Sequence, residues 1–384
     1  MGFSSQPEFN HRNPIAATAT TALGFTLLPS ELIQQIILNL SLPDITRLKP
    51  INKLINSITH ETNFLKEYNA RSSASTWLFL YRKPWHRNSI LHGFSDDSNR
   101  WFKFRIDHLL HSKFDDAYFL VAGGNIFLFA LNSSRDVISV NPISGTTKRL
   151  PPSPLGPRDT SRWRRSGMKL LPGPPGSGHF KFLFTDLIHD HPFLFIYDSI
   201  SDEWKSKEAR EGVREGKGGV VLSVVHRGNE NIKIAYNNGE AVILRPRLDV
   251  GVDGLRVYGD GKMMIVGSEG GSVKMIKCVE LYGLSLINDE RKWEKISSKM
   301  PNELIEKIKR PYNVIMGCLE ETKNGKMVRA VLVSNYEGQM DITWLCYDMD
   351  KMTWTWVPLP DCQMKGSNMA GIAFSSSGLT LPSN

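Results

Sequence analysis

Apolar and polar positions follow two different rhythms along this chain. Between residues 27 and 68, Leu32, Ile33, Ile36, Ile37 and Leu40 recur at three-to-four spacing, which predicts a helix with one apolar face. Pro29-Ser30-Glu31 opens that helix, with Ser30 as the expected N-cap, and Leu42-Pro43-Asp44 closes it and opens the next. A second short helix would present Ile45, Leu48 and Ile51, and a third Leu54, Ile55 and Ile58, followed by Phe64 and Leu65. Three such helices have too little interior to cover their own apolar faces. A partner is expected over them.

From about residue 77 to 375 the rhythm changes to short β-runs separated by Gly, Pro, Asn and Asp turns. One theme recurs: a β-run, a polar turn, then a short segment carrying Trp or ending in Leu-Pro. It appears at Phe94 to Trp101, Asn141 to Pro151, Ile196 to Trp204 and Tyr347 to Trp356, and more weakly at Ile287 to Trp293. The copies lie roughly 45 to 60 residues apart, with one interval about twice as long that holds three further β-runs. Six units of about 50 residues suit a β-propeller of four-stranded blades. The first unit has three clear strands, and the lone run Ala370–Phe374 is expected to return as its fourth. The expected class is therefore α+β and multidomain. It comprises a tail (1–26), a three-helix module (27–68), a linker (69–76), an all-β propeller of six blades (77–375) and a second disordered tail (376–384).

Composition narrows the possibilities. Hydrophobic residues at 41% and charged residues at 22% fit a soluble globular chain and exclude wholesale disorder. The four cysteines form no CxxC pair and have no histidine at finger spacing, so they read as ordinary thiols in a reducing compartment. Residues 1–26 lack an apolar signal core, and Gln6 stands where a myristoylation motif wants Ser or Thr. The longest apolar run, Tyr118 to Leu131, is too short to span a bilayer. The net charge of +8 admits nucleic acid or an acidic surface as a partner, although the charge is scattered.

The ordered segment Leu28-Pro29-Ser30-Glu31-Leu32, Ile36-Ile37-Leu38-Asn39-Leu40, Leu42-Pro43-Asp44-Ile45 and Ile51-Asn52-Lys53, then Ile58 and Phe64, resembles the F-box. Asn52 stands where that motif usually has cysteine, and Ile55 where it usually has tryptophan. The phrases Asn141-Pro142-Ile143-Ser144-Gly145 and Cys346-Tyr347-Asp348 with Trp354 to Pro360, and the diglycines Gly123-Gly124 and Gly270-Gly271, are similar to the plant F-box/kelch family. The resemblance implies a substrate receptor of an SCF-type ubiquitin ligase, in the nucleus and/or cytoplasm. The F-box would dock on a Skp-type adaptor, and through it on cullin and RING subunits, while a kelch-type propeller holds a protein substrate. It implies adaptor contacts from Leu28, Pro29, Leu32, Ile33, Ile36, Ile37, Leu40, Pro43, Leu48, Ile51 and Lys53. No cofactor, metal or membrane contact is implied, and catalysis would belong to the partners.

Other candidate chemistry is sparse. His189-Asp190-His191 with His179 fits no common metal spacing. Gly259-Asp260-Gly261-Lys262 lacks the length of a phosphate loop and reads as a hairpin turn. No GxSxG, HExxH or nucleophilic cysteine constellation occurs. The strongest charge feature is the insertion carrying Arg158, Arg162, Trp163, Arg164, Arg165 and Lys169, either a solvated loop or a partner-binding surface. Trp101, Trp204, Trp293 and Trp354 are expected to pack between blades. Two rival readings remain: a transcriptional cofactor touching a transcription factor and DNA through the basic insertion, and a propeller lectin or enzyme with carboxylates converging on the central channel.

Overall fold

The computed structural model describes residues 27–83, 90–106, 108–110, 117–189, 191–211, 221–225, 231–236, 240–244, 254–259, 262–269, 275–287, 290–308, 313–322, 325–336, 339–360, 368–375 and 377–382. The expected tail 1–26 lies outside these residues. The chain divides into two compact units, Met1–Tyr68 and Asn69–Asn384.

The first unit contains α1 (Ser30–Leu38), α2 (Leu42–Leu48) and α3 (Lys53–Ile58), and the start of α4 (Thr62–Ser72). The fourth helix was not expected. Its polar composition hides a buried stripe of Phe64 and Tyr68, one helical turn apart and stacked at 6.0 Å. Residues 69–76, expected as a linker, begin as the last turn of this helix.

The second unit is a β-propeller built from six four-stranded sheets. The sheets comprise β24 (Asn368–Ser375) with β1 (Trp77–Lys83), β2 (Ile90–Ser95) and β3 (Arg100–Arg105); β4 (Ala117–Gly123) to β7 (Thr146–Arg149); β8 (Met168–Pro172) to β11 (Glu203–Glu208); β12 (Arg210–Glu211) to β15 (Glu240–Leu244); β16 (Gly254–Gly259) to β19 (Glu290–Lys295); and β20 (Asn313–Glu321) to β23 (Thr353–Val357). Five are antiparallel from first strand to last. The sheet in the doubled interval departs: its first strand has two residues and pairs in parallel, Arg210 with Val221. The expected six-bladed propeller is thus corrected to five regular blades and one irregular sheet. Closure follows the expected route, with β24 pairing antiparallel to β1 from Trp77↔Ser375 to Lys83↔Asn368.

The recurring sequence theme is the outer hairpin of a blade. Asn141, Asp198 and Asp348 each accept backbone N–H bonds from the turn that follows, at 2.9–3.1 Å. Four residues after the turn-opening position, the backbone is left-handed in four of the copies: Asn99 (φ 48), Gly145 (φ 69), Asp202 (φ 57) and Met352 (φ 56). The tryptophan then stitches its blade to the neighbour. The indole N–H of Trp101 donates to the Pro360 carbonyl at 2.8 Å, that of Trp204 to Pro151 at 3.0 Å, and that of Trp354 to Ser298 at 3.1 Å. Between these seams the core is aromatic, with Phe79 against Phe127 at 4.7 Å and Tyr81 against Phe129 at 5.1 Å.

The expected disordered tail is corrected for residues 377–382. Leu379, Thr380 and Leu381 are buried. Asn69 and Asn125, from two other parts of the second unit, bond to their backbone.

Candidate functional site

The first helix carries two apolar stripes rather than one. Ile33 and Ile37, four residues apart, point inward and are fully buried within the chain itself. Leu32 and Ile36 repeat the same spacing one step earlier and remain outside at 52% and 42% exposure, with Leu28 at 37%. Pro29 precedes the first turn without a side-chain cap, and Ser30 is already helical rather than the cap. The second helix is better fixed: the Ser41 hydroxyl donates to Asp44 Oδ2 at 2.7 Å and accepts the Asp44 N–H at 3.4 Å. Asn52 caps the third helix, its Oδ1 accepting from Leu54 at 2.9 Å and Ile55 at 3.3 Å. Asn52 therefore has a local structural use, and Ile55 is buried.

This geometry sorts the expected adaptor contacts. Leu28, Pro29, Leu32, Ile36, Ile51 and Lys53 are exposed, Leu40 and Leu48 half-buried, and Ile33, Ile37 and Pro43 buried. The last three are interior within the chain itself; for Ile33 and Ile37, a 100° step along the helix separates their face from that of Leu32 and Ile36. Two exposed apolar side chains were missed, Leu27 and Leu54. Leu54 follows Ile51 by three residues, a spacing that could have marked it.

The basic insertion is not the open surface expected of it. It forms α5 (Thr160–Arg165), capped by Asp159, whose Oδ1 accepts the Arg162 N–H at 2.8 Å. Arg158 is buried, bonded to Asp186 Oδ2 at 2.6 Å and to the Ser166 hydroxyl at 2.6 Å. Its guanidinium lies over the rings of Trp163 at 4.8 Å and Phe184 at 5.0 Å. Burial pulls the Arg158 pKa below its ordinary value, opposed by the Asp186 carboxylate. Trp163 is buried in the core between the second and third blades. Arg158 and Trp163 are therefore packing residues, Arg162 is exposed, and Lys169 is half-buried. The side chains of Arg164 and Arg165 lie outside the described residues.

The remaining candidates offer little convergent chemistry. Asp190 and Cys362 lie outside the described residues, and His191 sits 3.4 Å from Glu208 in an exposed pair. Cys346 is buried, and burial pushes its thiol up to about 11, which makes it a poor nucleophile. Among the described residues no helix is long and apolar enough to cross a membrane.

No family model matches the chain, and the search of curated proteins returned no match. Solved structures with related architecture include TolB from Acinetobacter baumannii, at 13% identity and TM-score 0.36 over 81% of this chain and 71% of that one. A chain of the nidogen/laminin complex is similar at 9% identity and TM-score 0.39 over 80% and 99%. The β-propeller domain of the trilobed protease from Pyrococcus furiosus is similar at 11% identity and TM-score 0.29 over 71% and 77%. The propeller assignment rests on the strand pairing of this chain itself.

Proposed function

We propose that this chain is the substrate-recognition subunit of an SCF-type ubiquitin ligase, with an F-box helical unit that docks on a Skp-type adaptor and a kelch-type propeller that binds the protein to be ubiquitinated. The observation that carries the reading is the outer stripe Leu28, Leu32 and Ile36, together with Ile51 and Leu54. These large apolar side chains stay exposed although the unit already has an interior of Ile33, Ile37, Ile45, Ile55, Ile58 and Phe64. Exposed aliphatic groups concentrated in so short a segment mark a binding surface. Ubiquitin transfer then belongs to the cullin and RING partners.

The hairpin geometry supports a substrate surface at one end of the propeller. Turns between first and second strands, and between third and fourth, lie at one end of the blades. There the segment 377–382 bonds to Asn125 and Gly176. The opposite end carries the long connections, including α5 and α6 (Asn302–Ile308). That end is the proposed substrate face.

The test is the double substitution Leu32→Asp with Ile36→Asp. It should abolish co-purification of the Skp-type adaptor, leave the melting curve unchanged and leave substrate capture intact. Retained adaptor binding would refute the docking surface. A lowered melt would place the stripe in the interior instead.

A further inference from the structure

The segment after β24 is held in the manner of a bound peptide. Strand pairing ends at Ser375, and residues 377–382 form neither helix nor strand. Their backbone is read by side chains instead. Asn125 makes a reciprocal pair with Thr380, donating to its carbonyl at 2.7 Å and accepting its N–H at 2.8 Å. Asn69 does the same with Leu381, at 3.0 and 2.8 Å. The Ser72 hydroxyl donates to the Leu379 carbonyl, and the Thr380 hydroxyl accepts the Gly176 N–H at 3.2 Å.

An asparagine that gives and takes one bond with a single residue stands in for a neighbouring strand. It fixes that residue's backbone, and at Thr380 the buried side chain adds its own bond to Gly176. Selectivity also comes from the flanking positions. Leu379 and Leu381 are buried at 1% and 0% exposure, and a Cβ on Gly378 would run into the Ser72 carbonyl. The motif so defined is Gly-Leu-Thr-Leu.

We propose that Asn69, Ser72, Asn125 and Gly176 form a peptide-binding groove for a Gly-Leu-Thr-Leu segment, filled in cis by residues 378–381 and open to the same motif on another chain once this strap is displaced. The bonds come from elements remote in sequence and not from continuation of the sheet. Releasing the strap therefore breaks none of the β24–β1 pairs that close the ring. The attached strap competes at the millimolar effective concentration typical of a short tether, so a ligand in trans needs the strap released first. This site is independent of adaptor docking.

The test places a specific protease site at Ser376 in the full chain and cuts it after folding. A fluorescent synthetic peptide covering residues 375–384 is then titrated and its anisotropy followed. Saturable uptake with displacement of the cut strap is expected. The peptide with Leu379→Ser and Leu381→Ser should bind at least about a hundredfold weaker, since each buried leucine accounts for about a factor of ten or more. An Asn125→Ala chain, checked by its melt, should take up the unmodified peptide about tenfold more weakly. Uptake that ignores either substitution would overturn the groove. So would a cut strap that never exchanges, or a cut chain that unfolds, because the segment would then be ordinary core.

Discussion

Ring closure can be probed at a single position. Gly371 lies in the closing strand with φ +132, and an added Cβ would stand 2.7 Å from Phe119 Cβ and press on the Phe119 carbonyl oxygen of β4. Gly371→Val therefore combines two costs. Backbone strain in that region contributes about 1–3 kcal/mol, and forcing extra carbon into a closed contact about 1–3 kcal/mol more. For the unit Asn69–Asn384, an unfolding entropy of about 2.1 cal/mol/K per residue converts 1 kcal/mol into about 1.5 °C. The expected fall in Tm is about 3–9 °C, read by differential scanning fluorimetry and confirmed by the urea midpoint. Gly145→Ala is the control: its φ is +69 and nothing lies within 4 Å of the added carbon. It should cost only the left-handed penalty of about 1–2 kcal/mol. If Gly371→Val melts with the wild type, or falls no further than the control, the close approach of β24 to β4 does not bear on stability and the closure argument fails.

Other positions give independent checks. Trp204→Phe keeps the ring but loses the donor to Pro151, and should cost about 1 kcal/mol in a urea titration. Asp186→Asn strands the buried Arg158 guanidinium and should cost several times as much as Asp350→Asn, which breaks only the exposed pair with Lys326; equal losses would count against a desolvated Arg158. His92 is buried, and burial, aided by Lys103 and Arg82, pushes its pKa down from 6.5 to about 4. The unfolded chain then holds more protons between these values, so stability present above pH 6.5 is lost as the pH falls towards 4. His92→Gln should flatten that part of the urea-midpoint profile, and an unchanged slope would exclude His92 as its source.

The blade period was legible in the sequence because its markers have local causes. An Asx turn, a left-handed residue and a tryptophan at fixed offsets from the same strand end all follow from the chemistry of one hairpin. The irregular sheet β12–β15 announced itself as a doubled interval with three β-runs, since the fourth strand β15 (Glu240–Leu244) carries no tryptophan to mark its hairpin. The exposed apolar stripe was half legible: three-to-four spacing finds an apolar helix but does not tell which of two adjacent stripes the other helices cover. The basic insertion misled because composition counts charges without their partners. Arg158 finds Asp186, 28 residues away on another strand, and nothing local to either residue signals the meeting. The strap was invisible for the same reason, since Asn69 and Asn125 are unremarkable until Leu381 and Thr380 arrive beside them.

The tryptophan stitches make the propeller a hoop with two kinds of joint. The joints between the last blade and the first, the second and third, and the fifth and sixth sheets each carry an indole-to-carbonyl bond at the rim. The joint between the first and second blades has threonine at the equivalent position, Thr147, and relies on inner aromatic packing. Tension around such a hoop is shared until the least fastened joint parts, and a closed ring that opens at one place becomes a stack that can fray from both new ends. The order of failure is thus written at the rim. Seams held by tryptophan should be the last to yield, and the joint between the first and second blades should part before them.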